Sequence, residues 1–272
     1  MMKPESMELN ETDISSAWAK ALLQITARGV EEISPLVVTI TLDDQTVLER
    51  SDIRNALDSC ITAFKTSGRE KFKKLQAVHT VANTIFPHSL WNPNAEDDAT
   101  QLYDRFRKAW PRMKKCPQNR RGSYFRRLTA FRPLDSGDVP VNQLLHIVDT
   151  YKSGNHRRSA LQASVFDPAL DHNNSRQLGF PCLHQVSFAP VGSSGLAVTG
   201  FYAMQYIFDR AYGNYLGLCR LGEFMAHQLD LNLTRVTCVA ATAQRGTPGK
   251  GQLAELSATL KDVLSTGEDS PE

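Results

Sequence analysis

Five cysteines and one basic stretch are the parts of this sequence whose residue types suit chemistry. The cysteines are Cys60, Cys116, Cys182, Cys219 and Cys238. Their number is odd, their spacing is wide and no pair has C-x-x-C spacing, so neither a zinc site nor a dithiol redox motif is indicated, and no metal is expected. Free thiols in a reducing compartment fit this pattern. Cys60, Cys219 and Cys238 read as small buried apolar residues. The basic stretch, Arg105 to Arg132, holds eleven Lys or Arg residues and no acid. A stripe of that kind suits a phosphate-bearing ligand or nucleic acid, and it equally suits a solvated face. Tyr103, Phe106, Trp110, Tyr124, Phe125 and Phe131 interleave with the charges, so part of the stretch must belong to the core.

The elements that position these groups are those of a chain with 272 residues, 41% of them hydrophobic, which is enough for one large core and predicts one domain over residues 14–264. Residues 1–13 read as a flexible tail and residues 265–272 as a polar one. No run of eighteen apolar residues predicts a membrane span. The polar start, Met1 to Ser16, lacks the basic and apolar parts of a secretory signal, so a cytoplasmic location is expected.

Apolar periodicity predicts helices over Ile14 to Arg28, from Ser51 through Ile61, over Gly68 to Ile85, Asp97 to Lys108, Val141 to Tyr151, Tyr215 to Leu229 and Leu253 to Leu264. Strands are expected at Leu36 to Leu42, Ser159 to Phe166, Val186 to Val191, Leu196 to Tyr202 and Arg235 to Ala241. The Gly192-Ser193-Ser194-Gly195 turn makes the third and fourth of these a hairpin. Asn214, between Gly213 and Tyr215, reads as an N-cap of the long helix.

Asn155 to Ala243 presents, in order, the pair Arg157-Arg158, the strand end Val165-Phe166-Asp167-Pro168, the dipeptide Pro181-Cys182, Phe188 six residues later, the hairpin, Asn214 and a long helix. In order and spacing this resembles thymidylate synthase and its pyrimidine hydroxymethylase relatives, and Arg121-Gly122-Ser123-Tyr124 is similar to a further segment of that family. The resemblance is strongest over residues 155–243. It implies an α/β (α+β) fold with a large mixed sheet flanked by helices, one sheet face forming the interface of a homodimer. It also implies Cys182 as the nucleophile that attacks pyrimidine C6, Arg157 and Arg158 reaching the nucleotide phosphate across the interface, Arg121 as a further substrate contact and Asn214 pairing with the base edge. The implied substrate is a pyrimidine nucleotide or another phosphate-bearing small molecule. The implied donor of the methyl or hydroxymethyl group is a reduced folate, methylene-tetrahydrofolate.

Several positions depart from the family. Its Arg-Ser-x-Asp strand is Ala203-Met204-Gln205-Tyr206 here, and its deoxyribose-gripping Asp-x-His-x-Tyr falls at Ala241-Thr242-Ala243-Gln244-Arg245. Leu183 replaces the histidine after the nucleophile, with His184 next to it, and Ser187 replaces the glutamine before Phe188. Tyr206 and Arg210 stand where the family has Asp and Gly. The sealing apolar tail is replaced by Gly267-Glu268-Asp269-Ser270. Three readings therefore stand side by side: a divergent pyrimidine nucleotide C5 methyl- or hydroxymethyltransferase, a catalytically inactive homologue serving as a nucleotide-binding or scaffold module, and a nucleic-acid binder working through the basic stretch. Cys182 is correspondingly a nucleophile or a retained strand cysteine. Arg157 and Arg158 bind an anion or make interface salt bridges. His156 and His184 read as loop or surface histidines.

Overall fold

Strand β2, Glu32–Thr41, shows the alternation that organises the molecule: Leu36, Val38 and Ile40 are buried while Val37 and Thr39 are only partly covered and Thr41 is exposed. A period of two puts successive side chains on opposite sheet faces. The computed structural model describes residues 5–42, 47–116, 119, 122–131, 140–154, 157–172 and 181–268. Around β2 they form an eight-stranded mixed sheet containing β1 (Glu5–Glu11), β3 (Gln162–Ser164), β4 (Leu183–Val191), β5 (Gly195–Tyr202), β6 (Gln205–Tyr206), β7 (Asn232–Ala240) and β8 (Ala243–Gln244), in the order β3-β4-β5-β7-β2-β8-β6 with β1 beside β2. The β4–β5 hairpin is antiparallel, as its turn predicts, and β5 and β7 run parallel.

Parallel neighbours need a crossover. Here it is the helix α8, Tyr212–Leu229, which packs on β5 and β7. The remaining helices are α1 (Ile14–Thr26), α2 (Ser51–Thr66), α3 (Val78–Ile85), α4 (Asp98–Met113), α5 (Tyr124–Thr129), α6 (Gln143–Lys152), α7 (Pro168–Asp171) and α9 (Ala254–Glu268). Two glycines on α8 let α3 approach closely. A Cβ on Gly213 would lie 2.5 Å from Cβ of Val81 and 2.8 Å from the carbonyl oxygen of Val78, and one on Gly217 would lie 2.9 Å from the carbonyl oxygen of Ala82. Trp18 of α1 is fully buried and donates from Nε1 to the carbonyl of Ile207 at 2.9 Å, tying α1 to the entry of α8.

The helical side of the sheet carries Val198, Tyr202, Val236, Cys238 and Ala240, all buried. The other side presents a row of small polar residues, Ser187, Thr199, Thr237 and Thr39, paired in register from β4 to β2. Beside it lies a second row, Gln185, Phe201, Val239 and Val37. Phe201 is 40% exposed, with His184 at its edge, so among the described residues this face is only partly covered there.

Several expectations are corrected. Residues 5–11 of the supposed tail are strand β1, parallel to β2, with Leu9 buried and Asp13 capping α1 by accepting from Ser16 N at 2.8 Å. An edge strand with a solvated face looks polar in composition, which disguised it. The helix expected over Gly68 to Ile85 is a 3₁₀ turn, Glu70–Phe72, followed by the shorter α3, because Ala77 is extended between them. Of Ser159 to Phe166 only Gln162–Ser164 pairs as strand. The supposed polar tail is helical to Glu268, with the hydroxyls of Ser265 and Thr266 returned to the carbonyl of Asp262. Ser51 opens α2 rather than capping it; Arg50 is the N-cap and makes no side-chain cap bond. Among the described residues no helix is long and apolar enough to cross a membrane.

Candidate functional site

Cys182 immediately precedes β4, at the strand end where β4 meets the last residues of β5. Its carbonyl accepts from Ala203 N at 3.0 Å, and Leu183 pairs with Tyr202. Backbone pairing on this edge therefore holds the cysteine in place, with its side chain half-buried against the core.

Arg210 acts on the thiol, and the thiol in turn acts on Tyr124 and Tyr202. Tyr202 is fully buried at 0% exposure, and its hydroxyl has no hydrogen-bond partner among the described residues. Tyr124 comes from α5, whose N-cap Ser123 accepts from Arg126 N at 3.2 Å, and its phenol hydrogen-bonds the backbone of Leu183 and Cys182. Burial pushes the Tyr124 phenol up to about 12; the Cys182 thiol adds to the rise, while those backbone bonds and Arg210 oppose it. Arg210 lies on the single π-helical turn, Ile207–Ala211, that leads into α8, and its Nη1 donates to Oε1 of Gln76. π-turns inside helices are frequent at functional sites.

The Cys182 thiol lies above its ordinary range because burial disfavours the charged form, and Arg210 pulls in the opposite direction. The other buried thiols are pushed up further from the reactive range, Cys60 to about 11 and Cys238 to about 12, in both cases chiefly by burial. Cys60 is half-buried rather than buried as expected, whereas Cys219 and Cys238 are buried, and Cys116 is exposed.

Asn214 is not an N-cap. The π-turn brings the chain into helix before it, so Asn214 is the third residue of α8 and only 4% exposed. The next residue, Tyr215, donates its hydroxyl to Oε1 of Gln205 at 3.4 Å and acts electrostatically on Tyr202. The Asn214 amide offers donors and an acceptor together, which suits it to pairing with a base edge.

Arg157 and Arg158 are brought to a different place. They are exposed, at the 3₁₀ turn Arg158–Ala160 before β3, and neither is among the charges that act on Cys182 within one chain. Arg121 and His156 lie outside the described residues. His184 stacks on Phe166 with ring centroids 4.7 Å apart, and burial lowers its pKa against the pull of Asp171. Tyr206 is 38% exposed.

Gln76, Tyr124, Tyr202 and Arg210 are thus the site residues beyond the sequence candidates. Tyr124 follows the Arg121-Gly122-Ser123 segment singled out above, and Tyr202 is the last residue of the predicted strand; those were the available signals. Gln76 carried none, since the contact spans 134 residues of sequence.

No family model matches the sequence. A stretch of 103 residues, 38% of the chain, is 30% identical to a protein named "Putative thymidylate synthase" in Methanopyrus kandleri. The match spans 47% of that protein, so the chain matches about half the length of this relative.

Proposed function

We propose that this chain is a divergent member of the thymidylate-synthase superfamily that activates C5 of a pyrimidine nucleotide through Cys182. The observation that carries the reading is the half-buried Cys182 at a pinned strand end, together with the buried Tyr202 hydroxyl, which has no hydrogen-bond partner among the described residues. The partial match to a thymidylate synthase agrees with it.

In this reading Asn214 pairs with the base edge and presents C6 to the sulfur. The Cys182 thiolate forms the S–C6 bond, and the C5–C6 π electrons move to C5 and the O4 carbonyl. C5 is then nucleophilic. If C5 takes up a proton from solvent and loses its original one, expulsion of the thiolate restores the base with its C5 proton exchanged. With a one-carbon electrophile of the formaldehyde oxidation level in place of the incoming proton, loss of the original C5 proton and of the thiolate, and addition of water, the same intermediate yields a hydroxymethylated base; a methylated base needs a hydride in place of the water, which a reduced folate would supply.

The family's folate contact is not reproduced. Tyr206 offers a phenol where the family has an aspartate, and Arg210, held by Gln76, occupies a family glycine position. These residues do not fit a folate held in the family's way, and ordinary thymidylate synthesis is expected to be weak. The open sheet face with its Ser187-Thr199-Thr237-Thr39 row is the surface we propose for an isologous homodimer. In such a dimer Arg157 and Arg158 are exposed and able to reach a phosphate in the partner's site.

The test is release of tritium from C5-labelled deoxyuridylate and deoxycytidylate, with and without methylene-tetrahydrofolate. Slow release that Cys182→Ser abolishes is expected. Release no faster than from Cys182→Ser, with either nucleotide, refutes the reading. Burial of the thiol is the one observation that favours the inactive nucleotide-binding homologue instead. That module would show saturable nucleotide binding by calorimetry with no tritium release.

A further inference from the structure

The outer side of α4 carries much of the basic stretch, and the chemistry proposed for Cys182 uses none of it. On a helix, side chains three and four apart share a face. Leu102 and Phe106 turn inward and are buried, with Tyr103, Trp110 and Met113 packed on the same core. Phe106 meets Phe125 of α5 edge-on, with ring centroids 4.7 Å apart, so the core holds the helix firmly. The outer side presents Arg105, Arg107, Lys108 and Arg112, and the turn that closes the helix adds Lys114 and Lys115; all six are exposed. Arg105 donates to neutral acceptors, the carbonyl of Leu90 and Oε1 of Gln101, each at 3.1 Å. Asp104 pairs with Arg107 at 2.9 Å, yet the Arg107 side chain is still 77% exposed. The side chains of Lys108, Arg112, Lys114 and Lys115 have no hydrogen bond or ion pair among the described residues.

The whole chain carries a net charge of only +2, so without these six cations it would be net acidic. Positive charge is thus gathered on one side of one helix rather than spread over the surface. Arg105 to Lys115 covers about 15 Å of axis at about 1.5 Å per residue. Among the described residues, none of the exposed large hydrophobic side chains lies on α4. This face therefore has nothing to insert into a lipid layer and nothing to bury in an apolar protein interface. It offers only hydrogen-bond donors that carry positive charge. We propose that this face of α4 binds a nucleic acid through its phosphate backbone, without reading base sequence. Duplex DNA carries one negative charge per about 1.7 Å of axis, so a row of this length meets several phosphates at once. Phosphate oxygens only accept, which matches a surface that only donates. The interaction is separate from the chemistry at Cys182.

The test is fluorescence anisotropy of labelled RNA and DNA of about 20 nucleotides, single-stranded and duplex, titrated with the full chain between about 50 and 300 mM salt. Binding is expected at low salt, with log K falling linearly against log salt by about 0.7 per phosphate contact on a single strand and about 0.9 on duplex. Lys108→Gln with Arg112→Gln and Lys115→Gln removes three contacts, so the slope should shrink by about 2 and the affinity at about 100 mM salt should fall about tenfold or more. Lys65→Gln with Arg69→Gln and Lys74→Gln removes the same charge from exposed cations on and after α2, and should change neither. Equal losses in the two triple variants overturn the inference, because net charge alone would then account for binding. Absence of binding to RNA and DNA at about 50 mM salt also overturns it, whether or not phosphatidylserine vesicles bind. If the α4 triple variant melts well below the parent, Arg112→Gln alone replaces it: about a third of the slope change is expected, and an unchanged slope overturns the inference. Loss of C5 exchange in Cys182→Ser should leave nucleic-acid binding untouched, which keeps the two proposals separable.

Discussion

Tyr202 sets stability against function at a single oxygen atom. Its ring is fully buried between β4 and the helical layer, and the hydroxyl has no partner among the described residues. A buried polar group left unpaired costs about 1–3 kcal/mol, and a phenylalanine ring of the same shape removes that cost without opening a cavity. Tyr202→Phe should therefore raise the unfolding free energy by about 1–2 kcal/mol. The urea midpoint should rise with an unchanged slope, and Tm should climb by about 2–4 °C per kcal/mol. If the hydroxyl is kept because it serves the cysteine, the same variant should lose C5 exchange while gaining stability. Both readings come from one protein preparation, by urea denaturation followed by circular dichroism and by tritium release. A Tyr202→Phe protein less stable than its parent by about 1 kcal/mol or more refutes the reasoning, because it means that the hydroxyl is hydrogen-bonded in solution. A more stable variant with undiminished exchange keeps the packing argument and removes Tyr202 from the site.

The α3–α8 contact makes a second prediction. Gly213→Ala should cost about 1–3 kcal/mol by overpacking, because its Cβ meets the Cβ and backbone oxygen of α3 rather than a flexible side-chain end, whereas Gly251→Ala, whose Cβ meets nothing within 4 Å, should be neutral or slightly stabilising. Equal melting of the two variants would contradict the close approach. The dimer expectation is checked by light scattering: the parent should have twice the chain mass at micromolar concentration, and Thr199→Lys with Thr237→Glu on the open face should shift it toward monomer. A monomeric parent would remove the cross-subunit role of Arg157 and Arg158.

Much of the sheet was legible because its signal is local. Alternation in Leu36 to Leu42 and the glycine-flanked hairpin at Gly192 to Gly195 identify strands from neighbouring residues alone, and the structure has β2, β4, β5 and β7 there. Strand β1 was not legible, since one buried Leu9 among Glu8, Asn10 and Glu11 reads as tail until β2 is beside it. The two-residue strands β6 and β8 exist only by pairing with distant segments, β8 with β2 and with β6. At the site the order of motifs singled out Cys182 and Asn214, but gave Asn214 a capping role. The error traces to the π-turn, which begins the helical winding five residues before α8 proper, and nothing in Ile207-Phe208-Asp209-Arg210-Ala211 distinguishes it from an ordinary helix entry.

Motif order and the electrostatics of the single chain single out different arginines. Arg157 and Arg158 were matched to the family by position, yet in the single chain they stand exposed and exert no resolved effect on the sulfur. The charge that does act on Cys182 belongs to Arg210, where the family carries glycine. In the reading of this chain as a divergent relative of thymidylate synthase, Arg210 would be a cation gained, and the arginine of that family's Arg-Ser-x-Asp strand a cation lost, on the same piece of chain between Tyr202 and α8. The first favours ionisation of the cysteine without a bound ligand. The second removes charge that would have gripped phosphate. Together they move positive charge from the substrate's phosphate toward the nucleophile. A pyrimidine bound here would then owe less of its affinity to the phosphate and more to the Asn214 amide. Nucleosides and their monophosphates should accordingly protect Cys182 from alkylation at concentrations closer to one another than a site gripping phosphate through several arginines would allow.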